Sequence, residues 1–178
     1  IINAAAGNIT ISGVISGVGA LTKTGSSTLI LSGANTYTGA TTINAGILTA
    51  NGGSAIANAS AVSVGSGAVF NLGANETVGS IAGAGNITLG SYTLTAGGDN
   101  SSTTASGVIS GTGALTKTGT GVLTLSGANT YNGTTTVSAG TLKAGSITGF
   151  SSNSALNVAS GATLDLAGYN STIFGLSS

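Results

Sequence analysis

The sequence contains no cysteine, no histidine and no proline, and only 3% of its residues are charged. Without cysteine, the chain can form no disulfide framework, no thiolate metal site and no thiol nucleophile. Without histidine, it can hold neither a Ser-His-Asp triad nor a histidine-based zinc site. We therefore expect no catalytic site, no metal and no cofactor in this chain.

Clustered positive charge is also absent. The chain has three lysines, no arginine and a net charge of zero. Binding to nucleic acid depends on groups of Lys and Arg that neutralise phosphates, and binding to an anionic membrane surface requires basic clusters. The sequence thus predicts neither of these partners.

The three acidic residues do not form a recognisable site. A catalytic pair of carboxylates must lie within about 5 to 10 Å of each other, whereas Glu76 and Asp165 stand in related parts of successive sequence repeats. The third acid, Asp99, lies in a GGDN motif at residues 97–100, which resembles the start of a calcium-binding glycine-rich nonapeptide. Such a site needs tandem copies and this motif occurs once, so we interpret it as a polar turn.

What the chain does contain is a long internal repeat. Residues 13–50 return as residues 107–144, at an offset of 94, and 27 of these 38 positions are identical. The similarity continues at the same offset from residues 61–72 to residues 155–166. A long and nearly unchanged repeat is typical of solenoids and other repeat arrays.

We interpret residues 1–178 as one continuous domain that belongs to a longer chain. The first unit covers residues 13–106, and the second unit, residues 107–178, is truncated. If one coil of a solenoid takes about 19 to 24 residues, each full unit makes four or five coils and the chain makes about eight or nine.

Short strands fill both units. Each of the 32 glycines would destabilise a helix by about 1 kcal/mol relative to alanine, and short runs of strand-forming residues recur, one of them at residues 77–81. Leu29 and Leu31 fall on one face of such a run, and Leu123 and Leu125 repeat the pattern in the second unit. This period-2 alternation with one buried side predicts an all-β protein.

Strands of three to five residues between Gly, Asn and Ser turns are compatible with a sandwich, a membrane barrel or a solenoid. A membrane barrel needs strands of about ten residues with aromatic girdles, and a sandwich does not require a long repeat. Asparagines and threonines at fixed positions in both units indicate hydrogen-bonded ladders between stacked coils. We therefore predict a solenoid with small apolar side chains inside.

One pair of equivalent lysines and one pair of equivalent tyrosines are candidates for surface groups. Lys23 and Lys117 are flanked by threonines, and we interpret them as marking an outward strand face that resists edge pairing. Tyr37 and Tyr131 either form an aromatic stripe for glycan contact or pack over a turn beside the asparagine two positions earlier. We favour the packing role.

Residues 20–50 and 114–144 share the pattern ALTKTGxGxLTLSGANTYxGxTTxxAGxLxA. This pattern resembles the passenger-associated β-strand repeat of bacterial autotransporters, the proteins of type V secretion. In the first copy, residues 25–28 read GSST and lack the second glycine, so that turn is expected to be altered. The resemblance implies a right-handed parallel β-helix that reaches the cell surface through a C-terminal outer-membrane barrel. It associates the repeat with secretion and folding of the passenger and not with catalysis.

From the repeat, the missing catalytic residue types and this resemblance, we expect a non-enzymatic structural segment of a secreted or surface-anchored autotransporter passenger. It would act as a rigid stalk or spacer and assist export and folding. The alternative is an adhesin or a self-associating surface fibre that binds glycans or like rods.

The expected partners are the rest of the parent passenger and its outer-membrane barrel, at the outer membrane of a bacterial cell. The alternative adds a host or neighbouring cell surface, or a second rod joined end to end. The residues expected to carry the structural role recur in both units: Asn35, Tyr37, Gly39, Asn129, Tyr131, Gly133, Leu29, Leu31, Leu123 and Leu125.

Overall fold

The computed structural model describes all 178 residues, which form short strands joined by turns and no helix. The strands in chain order are β1 (Ile2–Asn3), β2 (Ile9–Ile11), β3 (Leu21–Thr24), β4 (Thr28–Leu31), β5 (Thr41–Ile43), β6 (Ile47–Ala50), β7 (Ala61–Val64), β8 (Val69–Leu72), β9 (Glu76–Val78), β10 (Ser80–Gly83), β11 (Asn86–Thr88), β12 (Leu94–Ala96), β13 (Thr103–Ala105), β14 (Ile109–Ser110), β15 (Leu115–Lys117), β16 (Val122–Leu125), β17 (Thr135–Val137), β18 (Thr141–Ala144), β19 (Ala155–Val158), β20 (Thr163–Asp165) and β21 (Gly175–Ser177). No helical segment is available to span a membrane.

The strands form three sheets in which every pairing is parallel. Sheet A has nine strands in the order β1-β3-β5-β7-β10-β13-β16-β18-β20. Sheet B has six in the order β2-β4-β6-β8-β11-β14, and sheet C has six in the order β9-β12-β15-β17-β19-β21. Paired strands lie one coil apart in the chain, so the protein is a parallel β-solenoid of about nine coils. The expected fold class is confirmed.

Inward side chains stack directly on those of the neighbouring coils. In sheet B, Leu29 pairs with Ile9 on one side and with Leu48 on the other, and Phe70 continues the column. Burial of one such side chain contributes about 1.5–3 kcal/mol, and a single cluster of 32 buried apolar residues forms the core of the rod. Because adjacent strands lie about 4.8 Å apart, nine coils make a rod about 40 Å long.

Each coil has three sides, but only sheet A runs from the first coil to the last. Sheet C begins at β9 and sheet B ends at β14. Before β9, residues 32–40 and 51–60 cover the third side without strands, and after β14, residues 126–134 and 145–154 do so on the side of sheet B. On these strandless sides, backbone groups lack a regular ladder and need other hydrogen-bond partners.

The 94-residue sequence repeat is not a whole number of coils. The strand β4 belongs to sheet B, whereas its equivalent β16 belongs to sheet A, and β3 belongs to sheet A while its equivalent β15 belongs to sheet C. Leu21 and Thr41 are partners one coil apart, and at about 20 residues per coil the repeat makes about four and two-thirds coils. Equivalent residues of the two units therefore lie on different sides of the rod.

One predicted strand is two strands in the structure. The run at residues 77–81 divides at Gly79 into β9 on sheet C and β10 on sheet A. A side chain at Gly79 would place its Cβ 2.5 Å from the carbonyl oxygen of Ala59 in the preceding coil. The chain turns a corner here because glycine permits this close approach.

The change of side between the units can be tested by cross-linking, since the chain has no cysteine of its own. Thr104 on β13 pairs with Thr124 on β16, and adjacent strands fall within the Cα separation of about 4.4–6.8 Å that a disulfide spans. We expect the variant T104C/T124C to form an intramolecular disulfide under mild oxidation, detected by mass spectrometry.

The matched variant is S110C/T124C. Ser110 lies on β14, the last strand of sheet B, and would neighbour Thr124 if the second unit were stacked in phase with the first. We expect no disulfide in this variant. A disulfide in this pair, together with none in T104C/T124C, would refute the change of side.

Candidate functional site

Eleven polar or charged residues are buried inside the rod. Eight of them are four pairs of equivalents, with one member in each unit, and two buried tyrosines make a fifth pair. We call these ten residues the buried polar network: Lys23 and Lys117, Asn35 and Asn129, Tyr37 and Tyr131, Thr41 and Thr135, and Ser60 and Ser154. Buried polar groups are normally hydrogen-bonded, so their partners indicate what the network does.

Each buried lysine binds three backbone carbonyls at a corner of the coil. The Lys23 ammonium donates to the carbonyl oxygens of Thr24 at 2.8 Å, Gly25 at 2.7 Å and Ala45 at 3.1 Å. The first two acceptors belong to the same turn and the third belongs to the turn of the next coil. All three ammonium hydrogens thus have an acceptor, and the lysine ties two successive coils together.

The second unit repeats this arrangement on another side of the rod. Lys117 donates to the carbonyl oxygens of Thr118 at 2.6 Å, Gly119 at 2.8 Å and Ala139 at 3.3 Å. Removal from water disfavours the charged form, so burial lowers the pKa of both ammonium groups below the ordinary value. The three carbonyl dipoles offset part of that penalty.

The prediction that Lys23 and Lys117 mark an outward face is wrong. Lys23 is 0% exposed and pairs with Ile43, in the same inward column. Its aliphatic stem packs inside the coil while its ammonium reaches the carbonyls at the corner. A signal was present in the sequence, because in the run LTKT the lysine alternates onto the face of Leu21 and the threonines take the other.

Each buried asparagine joins three coils on a strandless side. The side-chain oxygen of Asn35 accepts from the N–H of Ile15 at 2.7 Å, and its amide donates to the carbonyl oxygen of Ala55 at 2.6 Å. These partners lie one coil before and one coil after it. Asn129 does the same with Ile109 at 2.7 Å and Gly149 at 2.6 Å. The side chain adds to the few backbone bonds that join the coils on this side, such as that from Thr36 to Ile15.

A chain of hydroxyl groups closes the end of each strandless side. Ser60 donates to the carbonyl oxygen of Gly39 at 2.9 Å and lies 2.9 Å from the Thr41 hydroxyl, which lies 2.6 Å from the Tyr37 hydroxyl. Because each hydroxyl has one hydrogen, Tyr37 donates to Thr41 and Thr41 donates to Ser60. Burial raises the pKa of Tyr37, so its phenol remains a donor.

The second unit contains the same hydroxyl chain. Tyr131 lies 2.6 Å from Thr135, which lies 2.8 Å from Ser154, and Ser154 donates to the carbonyl oxygen of Gly133 at 2.7 Å. Burial also raises the pKa of Tyr131.

Tyr37 is 2% exposed and Tyr131 is 1% exposed. An aromatic stripe for glycan contact at these positions is therefore wrong, because neither ring reaches the surface. The neighbouring glycines are needed for close packing: a Cβ at Gly39 would lie 2.5 Å from the carbonyl oxygen of Gly19. The repeated leucines line the interior and are at most 3% exposed: Leu29, Leu31, Leu123 and Leu125.

Glu76 is a buried acid that has no counterpart in the second unit, where the equivalent position is Asn170. Its carboxylate accepts from the N–H groups of Ala55 at 3.2 Å and Ile56 at 3.0 Å. Burial raises the pKa of Glu76 to about 7, although the two N–H donors act in the opposite direction. Sequence reasoning missed this role, although the alternation in the run ETV places Glu76 on the same face as the buried Val78.

The remaining charged groups do not form a chemical site. Asp99 accepts from the Ser80 hydroxyl of the preceding coil at 2.6 Å and from the N–H of Ser101 in its own turn at 2.9 Å. Lys143 and Asp165 form an exposed ion pair at 3.6 Å. No group of three or more acidic, His or Cys residues is close enough together to hold a metal ion. The arrangement fastens coils to one another.

Comparison with known proteins points to one class of protein. Residues 21–50 and 115–144 match the family model of the passenger-associated-transport-repeat. These two stretches contain eight of the ten residues of the buried polar network, the exceptions being Ser60 and Ser154. The matched repeat therefore coincides with the side chains that fasten the coils.

The chain is also similar to the adhesin BmaC autotransporter of Brucella suis biovar 1 (strain 1330), with 45% identity over 168 residues. The alignment covers 93% of this chain and 5% of that adhesin, so the chain spans a small part of the length of this relative. No solved structure matches the chain at a significant level.

The contribution of the lysines can be measured with Lys117→Met, which keeps the apolar stem and removes the ammonium. The variant leaves the carbonyl oxygens of Thr118, Gly119 and Ala139 without this donor. We expect it to lower the free energy of unfolding by about 2–4 kcal/mol, measured as a lower urea midpoint by circular dichroism. The control is Lys143→Met at the exposed ion pair, where we expect a change below about 1 kcal/mol. Equal effects of the two substitutions would contradict the assigned role.

Proposed function

Because this chain is a segment of an autotransporter passenger that carries two passenger-associated-transport-repeats, we propose that it serves as a rigid, non-catalytic spacer in that passenger. The observation that carries the proposal is the direction of the shared polar side chains. All ten residues of the buried polar network point inward. The side chains of the lysine, asparagine, threonine and serine pairs bind neighbouring coils, and the two tyrosines bind the threonines of their own coils. The buried polar side chains that recur in the two units therefore serve the stacking of the coils.

The positions of the two repeats support the same role. If both copies of the repeat bound one partner through their surfaces, their equivalent residues would be expected to lie on the same side of the rod. Here the equivalent strands β4 and β16 lie on different sheets, so equivalent outward residues face different directions. An internal fastening works equally well on any side of the coil, because each coil binds only its neighbours.

Assistance to export follows from the same local contacts. Each coil presents unpaired strand edges and a layer of apolar side chains on which the next coil can pack. Folding can therefore advance one coil at a time as the chain emerges at the cell surface. The inter-coil bonds of Lys23 and Asn35 reach residues about 20 positions away in the sequence. They form as soon as the next coil has been released. The proposed partners are the rest of the passenger and its outer-membrane domain.

This role predicts that export depends on the inner fastenings. We would express the chain ahead of an autotransporter outer-membrane domain in a Gram-negative host and measure a surface-exposed epitope tag by flow cytometry. We expect Asn129→Asp to reduce the surface signal several-fold, because it removes the donor to Gly149 and adds a buried charge. The control Asn132→Asp changes an exposed residue of the same turn and should leave the signal unchanged. Equal export of both variants would refute an export role for folding.

Adhesion by self-association is a second candidate, favoured by the outer face of sheet C. The outward residues of this sheet form one register without a charge or an aromatic ring: Thr77, Thr95, Thr116, Thr136, Asn157 and Ser177. Threonine hydroxyls and methyl groups at a regular spacing of about 4.8 Å could oppose the same array on a second rod. The similarity to a protein named as an adhesin adds support.

The second candidate predicts reversible, concentration-dependent association in sedimentation equilibrium. Thr116→Lys would introduce like charges at the centre of the face and should keep the rods monomeric. The matched control is Thr42→Lys, at an outward position of sheet A, which should leave association intact. A wild-type chain that is monomeric at high concentration would exclude self-association and leave the spacer role standing.

A further inference from the structure

The most unusual contact between successive coils is the one between a strandless side and the first strand of sheet C. Residues 51–60 cover the third side of one coil, and Glu76 begins β9 on the same side of the next coil. The Glu76 side chain occupies the inward column below its partner Leu94, which is 0% exposed. A carboxyl group thus stands at the base of an apolar column.

The middle of the 51–60 segment depends on Glu76 for its contact with the following coil. Toward the preceding coil, Asn35 binds the carbonyl oxygens of Ser54 and Ala55. Toward the following coil, the only hydrogen bonds from residues 53–59 are those that Glu76 accepts from Ala55 and Ile56. These two residues are 0% exposed, so they are accessible only if the segment opens.

No cation balances the Glu76 carboxylate. Lys23 and Lys117 are bound to backbone carbonyls, and the only ion pair in the rod joins Lys143 to Asp165. The titratable group that the Glu76 charge influences is Tyr37, which lies two coils earlier on the same side and whose hydroxyl donates to Thr41. A negative charge on Glu76 is therefore held by two N–H groups alone.

We propose that Glu76 is a proton-operated latch on residues 51–60: the protonated side chain holds the segment closed, and ionisation releases it. An ionised carboxylate in an apolar column without a counter-charge is strongly destabilised. Outward movement of the segment lets water reach that charge. The rest of the rod stays folded, because its coils are held by the ladders of sheets A and B. The latch does not depend on the role of the chain as a spacer.

The direction of the pH dependence follows from linkage. Burial raises the pKa of Glu76 from 4.5 to about 7 in the closed segment, while an opened segment exposes the carboxyl group to water. The closed state therefore binds the proton more tightly. Its advantage is fully present below about pH 4.5 and is lost as the pH rises through about 7. With no histidine in the chain, no other side chain ordinarily titrates in this window.

Amide hydrogen exchange of Ala55 and Ile56 tests the latch directly. After correction for intrinsic base catalysis, we expect protection of these amides to fall about 30-fold between pH 5.5 and pH 8.5, as linkage gives for these two pKa values. The chain offers a control, because residues 145–154 form the equivalent segment and the position equivalent to Glu76 is Asn170, an exposed residue with no titratable side chain. Protection of Gly149 and Phe150 should not change with pH.

The variant Glu76→Gln keeps the size of the side chain and removes the titration. We expect it to abolish the pH dependence at Ala55 and Ile56. Persistence of the dependence in this variant, or an equal dependence in residues 145–154, would overturn the proposal. If the variant does not fold, a carbon-13 NMR titration of the Glu76 carboxyl carbon in the wild-type rod decides. A midpoint near 7 supports the latch, and a midpoint at or below 4.5 refutes it.

Discussion

The structure depends on one constraint: each coil must satisfy its backbone polar groups through the coils on either side. Where three parallel sheets are present, the ladders meet this need and apolar side chains such as Leu94 and Leu115 stack in the interior. Where a side has no strand, the ladder fails and unpaired N–H and C=O groups would be buried at a penalty of about 1–3 kcal/mol each. The asparagines and hydroxyl chains of the buried polar network occupy these sides and their ends. The two lysines bind carbonyls at the corner between the two sides that carry strands.

The network also explains how so few charged residues can be placed inside a rod. Lys23 and Lys117 are tolerated because each ammonium has three carbonyl acceptors at a corner, close to the surface. Glu76 has two N–H donors and lies in an apolar column, so its charge is less well compensated and its pKa rises. The same burial therefore produces a permanent fastening in one case and a pH-sensitive joint in the other.

Much of the fold follows from local patterns. The alternation around Leu29 and Leu31 predicts strands with one buried face, and the 94-residue repeat predicts a solenoid. The same alternation places Lys23 on the inward face with Leu21, whereas its charge favours an outward position. Other features cannot be predicted from local patterns. The division of the run at residues 77–81 depends on a close approach of Gly79 to another coil, and the residues beside Gly79 in the sequence do not indicate that approach.

The sequence by itself determined that short strands stack as coils about 20 residues apart, because side-chain period and repeat length are properties of the chain alone. Only the tertiary structure decided which side of the rod each residue occupies. The repeat length and the coil length are not commensurate, so β4 and β16 share a pattern yet belong to different sheets. The side of the rod on which a strand lies depends on how many corners separate it from the preceding strands. The position of each corner depends on contacts with the neighbouring coil.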